Sequence, residues 1–249
     1  MAEDATRKLA VLIDAENTSP KVADALFEEI AKIGEASLRR IYGDFSKGQL
    51  AGWERVLMKH AILAQQQFAN TTGKNSSDIT LVIDAMDLLH SGRFDGFCLV
   101  SSDSDFTRLA ARIREQGIDV YGIGQTKTPE SFRQACTRFI FTENFARAEE
   151  GSGPAPAKTA LRPLGEAVEL IEKALEQLED DADGWYRLGA LGQRLTGLSS
   201  EFDTRTFGHP KLSDLVEATG RFDLDRSAPV RLRHRKRKRR RPEQPTPPG

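Results

Sequence analysis

The sequence predicts an α/β protein, a parallel sheet with helices on both faces, followed by a small α+β unit. Two observations carry this. Over the first 145 residues, short apolar runs alternate with segments of helical period, and such alternation implies strands joined by crossover helices. At 149–158 the composition changes to EEGSGPAPAK, rich in Gly, Pro, Ala and Ser without apolar period, which is the composition of a flexible linker.

LAVLID (9–14) is a short apolar run suited to a buried parallel strand. Val22, Leu26, Ile30 and Ile33 recur at helical spacing over 20–33, with Ser19 placed to cap and Pro20 at a first helical position. A strand at 37–44, a helix at 49–59, a strand at 61–69 and an apolar helix at 77–90 follow. GFCLVSS (96–102) is the strongest core strand. A helix at 105–116, a strand at 118–124, a helix near 129–135 and a strand at 138–142 complete the series. Gly122 and Gly124 read as the end of a strand, since GxG without the rest of a GxGxxG motif is weak evidence for a nucleotide site. Beyond the linker, helices are expected at 164–178, 184–195 and 211–219, with a short strand at 221–224. The expected division is a domain at 1–147, a linker at 148–160, a compact unit at 161–226 and a disordered basic tail at 227–249.

Of the 249 residues, 39% are hydrophobic and 29% charged, the balance of a soluble globular protein. No apolar run approaches the ~20 residues that span a bilayer, and MAEDATRK lacks the apolar core of a secretory signal. A cytoplasmic protein without membrane partners is therefore expected. Cys98 and Cys136 are too few for a disulfide framework and lack zinc-like spacing. The net charge of −1 conceals an asymmetry: residues 231–241, RLRHRKRKRRR, hold nine Lys or Arg, leaving 27 basic against 37 acidic side chains elsewhere. Such a run repels itself and attracts polyanions by counterion release. Arg235, Lys236 and Arg237 lie within it.

In an open parallel sheet, ligands bind beyond the carboxyl ends of the strands. Asp14 closes the first strand in VLIDAEN, Asp103 and Asp105 follow the core strand in LVSSDSDF, and Asp78 opens a helix in GKNSSDIT. These acids should meet at one rim. Carboxylates so gathered raise one another's pKa unless a cation neutralises them, and an all-oxygen site suits Mg²⁺ or Mn²⁺. Such an ion supports phosphodiester hydrolysis without a histidine base; none of the four histidines falls in these segments. Each acid taken alone also fits a structural role. Asp103 or Ser102 can cap the next helix, and Asp78 in a first turn gains from the helix dipole. Asp84, six residues after Asp78, lies about 240° further round the helix. Asn17 fits either a water- or phosphate-orienting role or a turn before Pro20. Ser101 and Ser102 are placed to hydrogen-bond the acids. Lys74 and Arg108 fit phosphate contacts or plain surface charges equally well.

IDAENTSP, GKNSSDITLVIDAMDLL and LVSSDSDF, in that order, resemble the NYN domain, the LabA-like branch of the PIN-like nucleases, over roughly 8–145. The resemblance implies a PIN-like α/β fold, a divalent metal held by acids, and ribonuclease activity. By position it makes Asp14, Asn17, Asp78, Asp103 and Asp105 catalytic, the four aspartates metal ligands, and Asp84 a supporting acid. The loop GKNSSD is longer than the KGVD form common in that family. The segment 185–224, with LGALGQRL and FDTRTFGHPKLSDLV, resembles an OST-HTH, or LOTUS, domain. That implies a small winged-helix-like fold binding RNA or a protein partner, with Tyr186, Lys211 and Arg221 as candidate contacts.

The expected function is a metal-dependent endoribonuclease, with the small unit and basic tail gripping RNA through a flexible linker. The alternative is a non-catalytic RNA-binding adaptor that keeps the fold. A phosphatase or nucleotide-binding reading lacks its marks, since there is no DxDxT motif and no Gly-rich phosphate loop.

Overall fold

A computed structural model describes residues 6–47, 52–67, 76–148, 161–181 and 183–235. The N-terminal domain is a six-stranded, wholly parallel sheet. Its strands are β1 (Lys8–Asp14), β2 (Glu35–Gly43), β3 (Leu63–Gln66), β4 (Gly96–Val100), β5 (Asp119–Gly124) and β6 (Arg138–Phe141), in the order β3-β2-β1-β4-β5-β6. The helices are α1 (Ala23–Ala31), α2 (Trp53–His60), α3 (Ser76–His90), α4 (Thr107–Glu115), α5 (Glu130–Ala135) and α6 (Glu143–Ala148).

Alternation along the strands divides the core. On one face Ala10, Leu12, Phe97 and Leu99 pack with α3, α4 and α5 through Leu81, Ala85, Leu109, Ile113 and Phe132. On the other, Leu9, Val11, Ile13, Cys98 and Val100 pack with α1, α2 and α6 through Leu26, Ile30, Trp53 and Phe145. The two central strands are thus apolar on both faces, as the continuous runs at 9–13 and 96–100 require. The chain winds outward from β1 to β3, then returns through α3 to β4 on the other side of β1. The strand order therefore reverses between β1 and β4, and open sheets of this kind bind ligands at the carboxyl ends beside such a reversal.

Gly122 sits where any side chain would collide: an added Cβ would lie 2.5 Å from Cys136 Sγ and from the Phe139 ring. At Gly124 a Cβ would run into the backbone oxygen of Ser101. The two glycines are packing requirements of a core strand.

The C-terminal unit comprises α7 (Leu164–Leu175), β7 (Tyr186–Arg187), α8 (Leu188–Leu198), α9 (Leu212–Ala218), β8 (Phe222–Asp225) and β9 (Arg231–His234), with an antiparallel sheet ordered β7-β9-β8. Three helices and a β-hairpin wing enclose Ile171, Leu191, Leu195, Leu215, Phe222 and Leu232.

Four expectations need correction. The helix at 20–33 is a single 3₁₀ turn, Pro20–Val22, capped by Ser19, followed by α1. The helix expected from 184 begins at Leu188, because Gly184 takes a left-handed φ of 76° and Tyr186 pairs with Leu232. The tail does not begin at 227: Arg231–His234 is a strand with Leu232 in the core. Its cations face acids: Arg231 pairs with Asp181 and Asp225, Arg235 with Asp223, and His234 lies 3.6 Å from Glu172. Residues 236–249, including Lys236 and Arg237, lie outside the described residues.

The fourth concerns the scheme of two units acting through a tether. The linker at 149–160 lies outside the described residues, but the units it joins are docked. Phe139 N, on the edge strand β6, donates to Ser200 O at 2.7 Å, and Ser200 Oγ donates to Arg133 O at 2.9 Å. Arg133 pairs with Glu201, and Asn144 Nδ2 donates to Thr206 Oγ1 at 3.1 Å. Arg205 spans the junction with one nitrogen on each oxygen of Glu29, at 3.0 and 2.9 Å, and a further bond to Asp203 at 2.6 Å. An otherwise open sheet edge is covered in the process.

Candidate active site at the carboxyl rim

Asp14 ends β1 and is buried. Its Oδ1 accepts from the backbone nitrogens of Glu16 and Asn17 at 3.0 and 3.2 Å. Its Oδ2 accepts from Asn17 Nδ2 at 2.8 Å and Ser101 Oγ at 2.7 Å. A carboxylate offers about four acceptor positions, so Asp14 is fully engaged, organising the loop after β1 and tying it to the loop after β4.

Ser101 carries that tie onward, since its Oγ also accepts from Asp103 N at 3.1 Å. Asp103 caps the 3₁₀ turn Ser104–Phe106, its Oδ1 accepting from Asp105 N at 2.9 Å. The capping role that competed with a site role at this position is thus real, and it engages Oδ1. Ser102 Oγ accepts from Gln125 N at 2.9 Å, linking the acid loop to the loop after β5.

Asp78 stands in the first turn of α3. A helix N-terminus ordinarily favours an ionised acid, yet here the carboxyl is pushed up to about 6. Burial is the largest cause, followed by the negative charges of Asp14, Asp103, Glu16 and Asp105. Glu16 approaches through Ser77, whose Oγ lies 3.4 Å from Glu16 Oε1. The expected gathering of acids from three loops is therefore present, and Glu16 joins it. Sequence reasoning passed over Glu16, although an acid two residues past the end of β1 sits at the same rim.

Other candidates fall elsewhere. Asp84 is held by Arg40 at 2.8 Å and by the Tyr42 hydroxyl at 2.9 Å. It fastens α3 to β2, as its 240° offset from Asp78 allows, and does not join the rim cluster. Arg108 is exposed on the first turn of α4, and Lys211 is exposed at the start of α9. Tyr186 is half-buried in β7 and Arg221 exposed before β8. Lys74 lies outside the described residues.

The donor set suits a hard divalent cation: it consists of carboxylate oxygens whose mutual repulsion is unrelieved at Asp78. Among the described residues, no three Asp, Glu, His or Cys side chains stand in a ready-made coordinating group. Binding would therefore need side-chain adjustment, in which Asp78, Asp103 and Asp105 draw together. Also among the described residues, no helix is long and apolar enough to cross a membrane.

Comparison with known proteins agrees with this organisation. Residues 8–143 match the NYN domain and 164–233 the OST-HTH/LOTUS domain. Among curated proteins, none matches. A crystal structure of a protein of unknown function from Vibrio parahaemolyticus is 17% identical, with a TM-score of 0.47, over 57% of this chain and 96% of that one. A solution structure of an uncharacterized protein from Nitrosomonas europaea is 35% identical, with a TM-score of 0.25, over 36% of this chain and 93% of that one. NYN domains are nuclease-type domains of PIN-like fold, and OST-HTH/LOTUS domains bind RNA. With its six-stranded parallel sheet, its acids at the topological switch and a small winged-helix unit following in the chain, this chain belongs to the NYN domain family and carries a C-terminal OST-HTH/LOTUS domain.

Proposed function

We propose that the protein is a metal-dependent endoribonuclease. The observation that carries the reading is Asp78, whose carboxyl is raised to about 6 by burial and by four neighbouring acids. A cluster built to repel itself has a use where a cation completes it. Asp78, Asp103 and Asp105 would hold Mg²⁺ or Mn²⁺, with Glu16 close by and Asp14 joining if it gives up one of its four hydrogen bonds. When bound, such an ion polarises a phosphoryl oxygen and lowers the pKa of a water for in-line attack.

The chain's own residues do the positioning. Asp14 holds Asn17 and Ser101 in place, and Ser101 fixes the backbone of Asp103. Asn17 is exposed at the rim, where its side chain can meet a phosphate or a water while still bonded to Asp14. Arg108 lies on the same rim as a phosphate contact. The C-terminal domain supplies further RNA contact through Lys211 and the basic run that follows β9, or binds a protein partner. A cytoplasmic location fits an RNA substrate.

Labelled single-stranded RNA with Mn²⁺, Mg²⁺ or EDTA, beside Asp14→Asn and Asp103→Asn, tests this. Cleavage is expected to need metal and to fall at least a hundredfold in either variant. The second reading, a non-catalytic RNA-binding adaptor, is favoured by the saturated hydrogen bonding of Asp14 and the lack of a ready-made ligand group among the described residues. Tight RNA binding without cleavage in either metal would establish it.

A further inference from the structure

The contacts that dock the C-terminal domain are made by Ser200, Glu201, Arg205 and Thr206. None of these lies on its three-stranded sheet. One face of that sheet is core: Leu232, paired with Tyr186 and Leu224, packs inward, as does Phe222. Alternation sends the neighbouring side chains to the other face. There Arg187 stands beside Arg231 and Asp225, and the next row sets Trp185, Arg233 and Asp223 side by side. Arg235 and Arg221 close the face, with Arg235 N donating to Arg221 O at 2.9 Å. The face thus carries five arginines and a tryptophan against two aspartates.

The arginines differ in their commitments. Arg231 meets Asp181 and Asp225, while Arg233 and Arg235 share Asp223. Exposed pairs of this kind are worth little, and an arginine fork grips a phosphate with two bonds. Among the described residues, Arg187 and Arg221 are exposed and in no ion pair. They occupy diagonal corners of the face, with Trp185 and Arg233 between them. The guanidinium carbon of Arg233 lies 4.4 Å from the centre of the Trp185 ring, and that of Arg231 lies 5.5 Å from it. A cavity of about 620 Å³ borders Trp185; Leu178, Tyr186 and Pro229 give it apolar walls, and Glu179 and Asp180 an acidic one. Helix-turn-helix folds ordinarily read a duplex by laying a helix in its major groove. Here α9 carries Asp214 and Glu217 and no Lys or Arg, so it fits phosphates poorly.

We propose that the outer face of this sheet is a platform for single-stranded RNA. Phosphates lie on Arg187 and Arg221. Bases stack on the planar Trp185–Arg233 pair, and one enters the cavity, whose acids turn a phosphate away. Stacking of this kind needs unpaired bases, so the platform takes single strands and not duplexes. The inference rests on the reading that this domain contacts RNA and is independent of cleavage at the rim acids.

The experiment uses the full chain in EDTA, with a short fluorescein-labelled oligocytidylate read by anisotropy across a salt series. Trp185→Ala should weaken binding by at least about fivefold, the loss of one base stack, without changing the salt slope. Arg187→Ala and Arg221→Ala should each lower that slope by ~0.7, the value of one phosphate contact on a single strand. Trp185 is one of two tryptophans, and the other, Trp53, is fully buried. An unlabelled single strand should therefore quench the intrinsic fluorescence of the wild type. Trp185→Phe should abolish the quenching and keep most of the affinity, and a duplex of equal length should leave Trp185 unquenched. The arginine variants and the quenching decide the matter even where Trp185→Ala fails to fold. RNA binding with unchanged affinity and salt slope in the alanine variants would overturn the platform while leaving RNA contact to other parts of the chain. Equal quenching by duplex and single strand would also overturn it. No RNA binding by the wild type would overturn the platform and the RNA reading together.

Discussion

Replacing Asp78 with Asn should make the protein more stable and less active. The Asp78 carboxyl is raised from 3.8 to about 6, so the folded protein binds a proton there more tightly than the unfolded chain. Stability linked to this group is therefore fully present below about pH 4 and is lost as pH rises through about 6. A shift of about two units corresponds to at most roughly 3 kcal/mol. Water screens the exposed members of the cluster, which brings the expected cost to about 1–2 kcal/mol. Asn removes that cost but gives up the attraction of an ionised acid for the helix N-terminus. That attraction is typically 0.3–1 kcal/mol, and the raised pKa already includes it. Urea denaturation of both proteins from pH 4 to 8 is the assay. The variants should be nearly equal at pH 4, with Asn ahead by about 1–2 kcal/mol at pH 8, a few degrees in Tm at roughly 2–4 °C per kcal/mol. Added Mn²⁺ should stabilise the wild type more than the variant. An Asn variant less stable at pH 8, or a difference that does not vary with pH, would show that neither burial nor the neighbouring acids oppose ionisation of Asp78 in the folded protein.

Other perturbations have defined outcomes. Gly124→Ala drives a methyl into the Ser101 backbone oxygen; it should cost about 1–3 kcal/mol and lower RNA cleavage at least tenfold, read by denaturation and by initial rates. Arg205→Ala strips buried Asp203 of its guanidinium and leaves buried Glu29 with Lys32 alone. Burial pulls Glu29 upward, yet bonds from Arg205 and Lys32 hold it below the usual range, and Asp203 is likewise held low against burial by Arg205. In the wild type this stability is present at neutral pH and is lost as pH falls through the depressed values. The variant should lose about 3–5 kcal/mol at pH 7 and recover part of it toward pH 5, the reverse of the wild-type trend, as thermal melts across pH can show. Truncation after Arg235 keeps β9 and removes six consecutive cations, 236–241. It should reduce the slope of log K against log salt for single-stranded RNA by up to about 4, with the thermal midpoint unchanged.

The parallel sheet was legible because its two central strands are apolar on both faces and therefore appear as unbroken runs at 9–13 and 96–100. The rim acids were legible because the ends of those strands were. What was missed shows where local signals give way to contacts distant in sequence. In Arg231–His234 a count of positive charges hid a strand: alternation placed Leu232 in the core, and acids as far off as Asp181 met the arginines. Glu16 acquires meaning only when the end of β1 meets the start of α3. The engagement of Asp84 by Arg40 and Tyr42 joins residues more than forty positions apart, beyond any helical pattern. The docking of the second domain rests on single pairs such as Glu29 with Arg205, which no periodicity announces.

The central claim is that the rim acids bind a divalent cation. A crystal soaked in Mn²⁺ and measured at the manganese edge tests it most directly. The account predicts an anomalous peak bounded by Asp78, Asp103 and Asp105 that disappears in Asp78→Asn. Occupied manganese elsewhere with none at these acids, or a peak that survives Asp78→Asn unchanged, would contradict it.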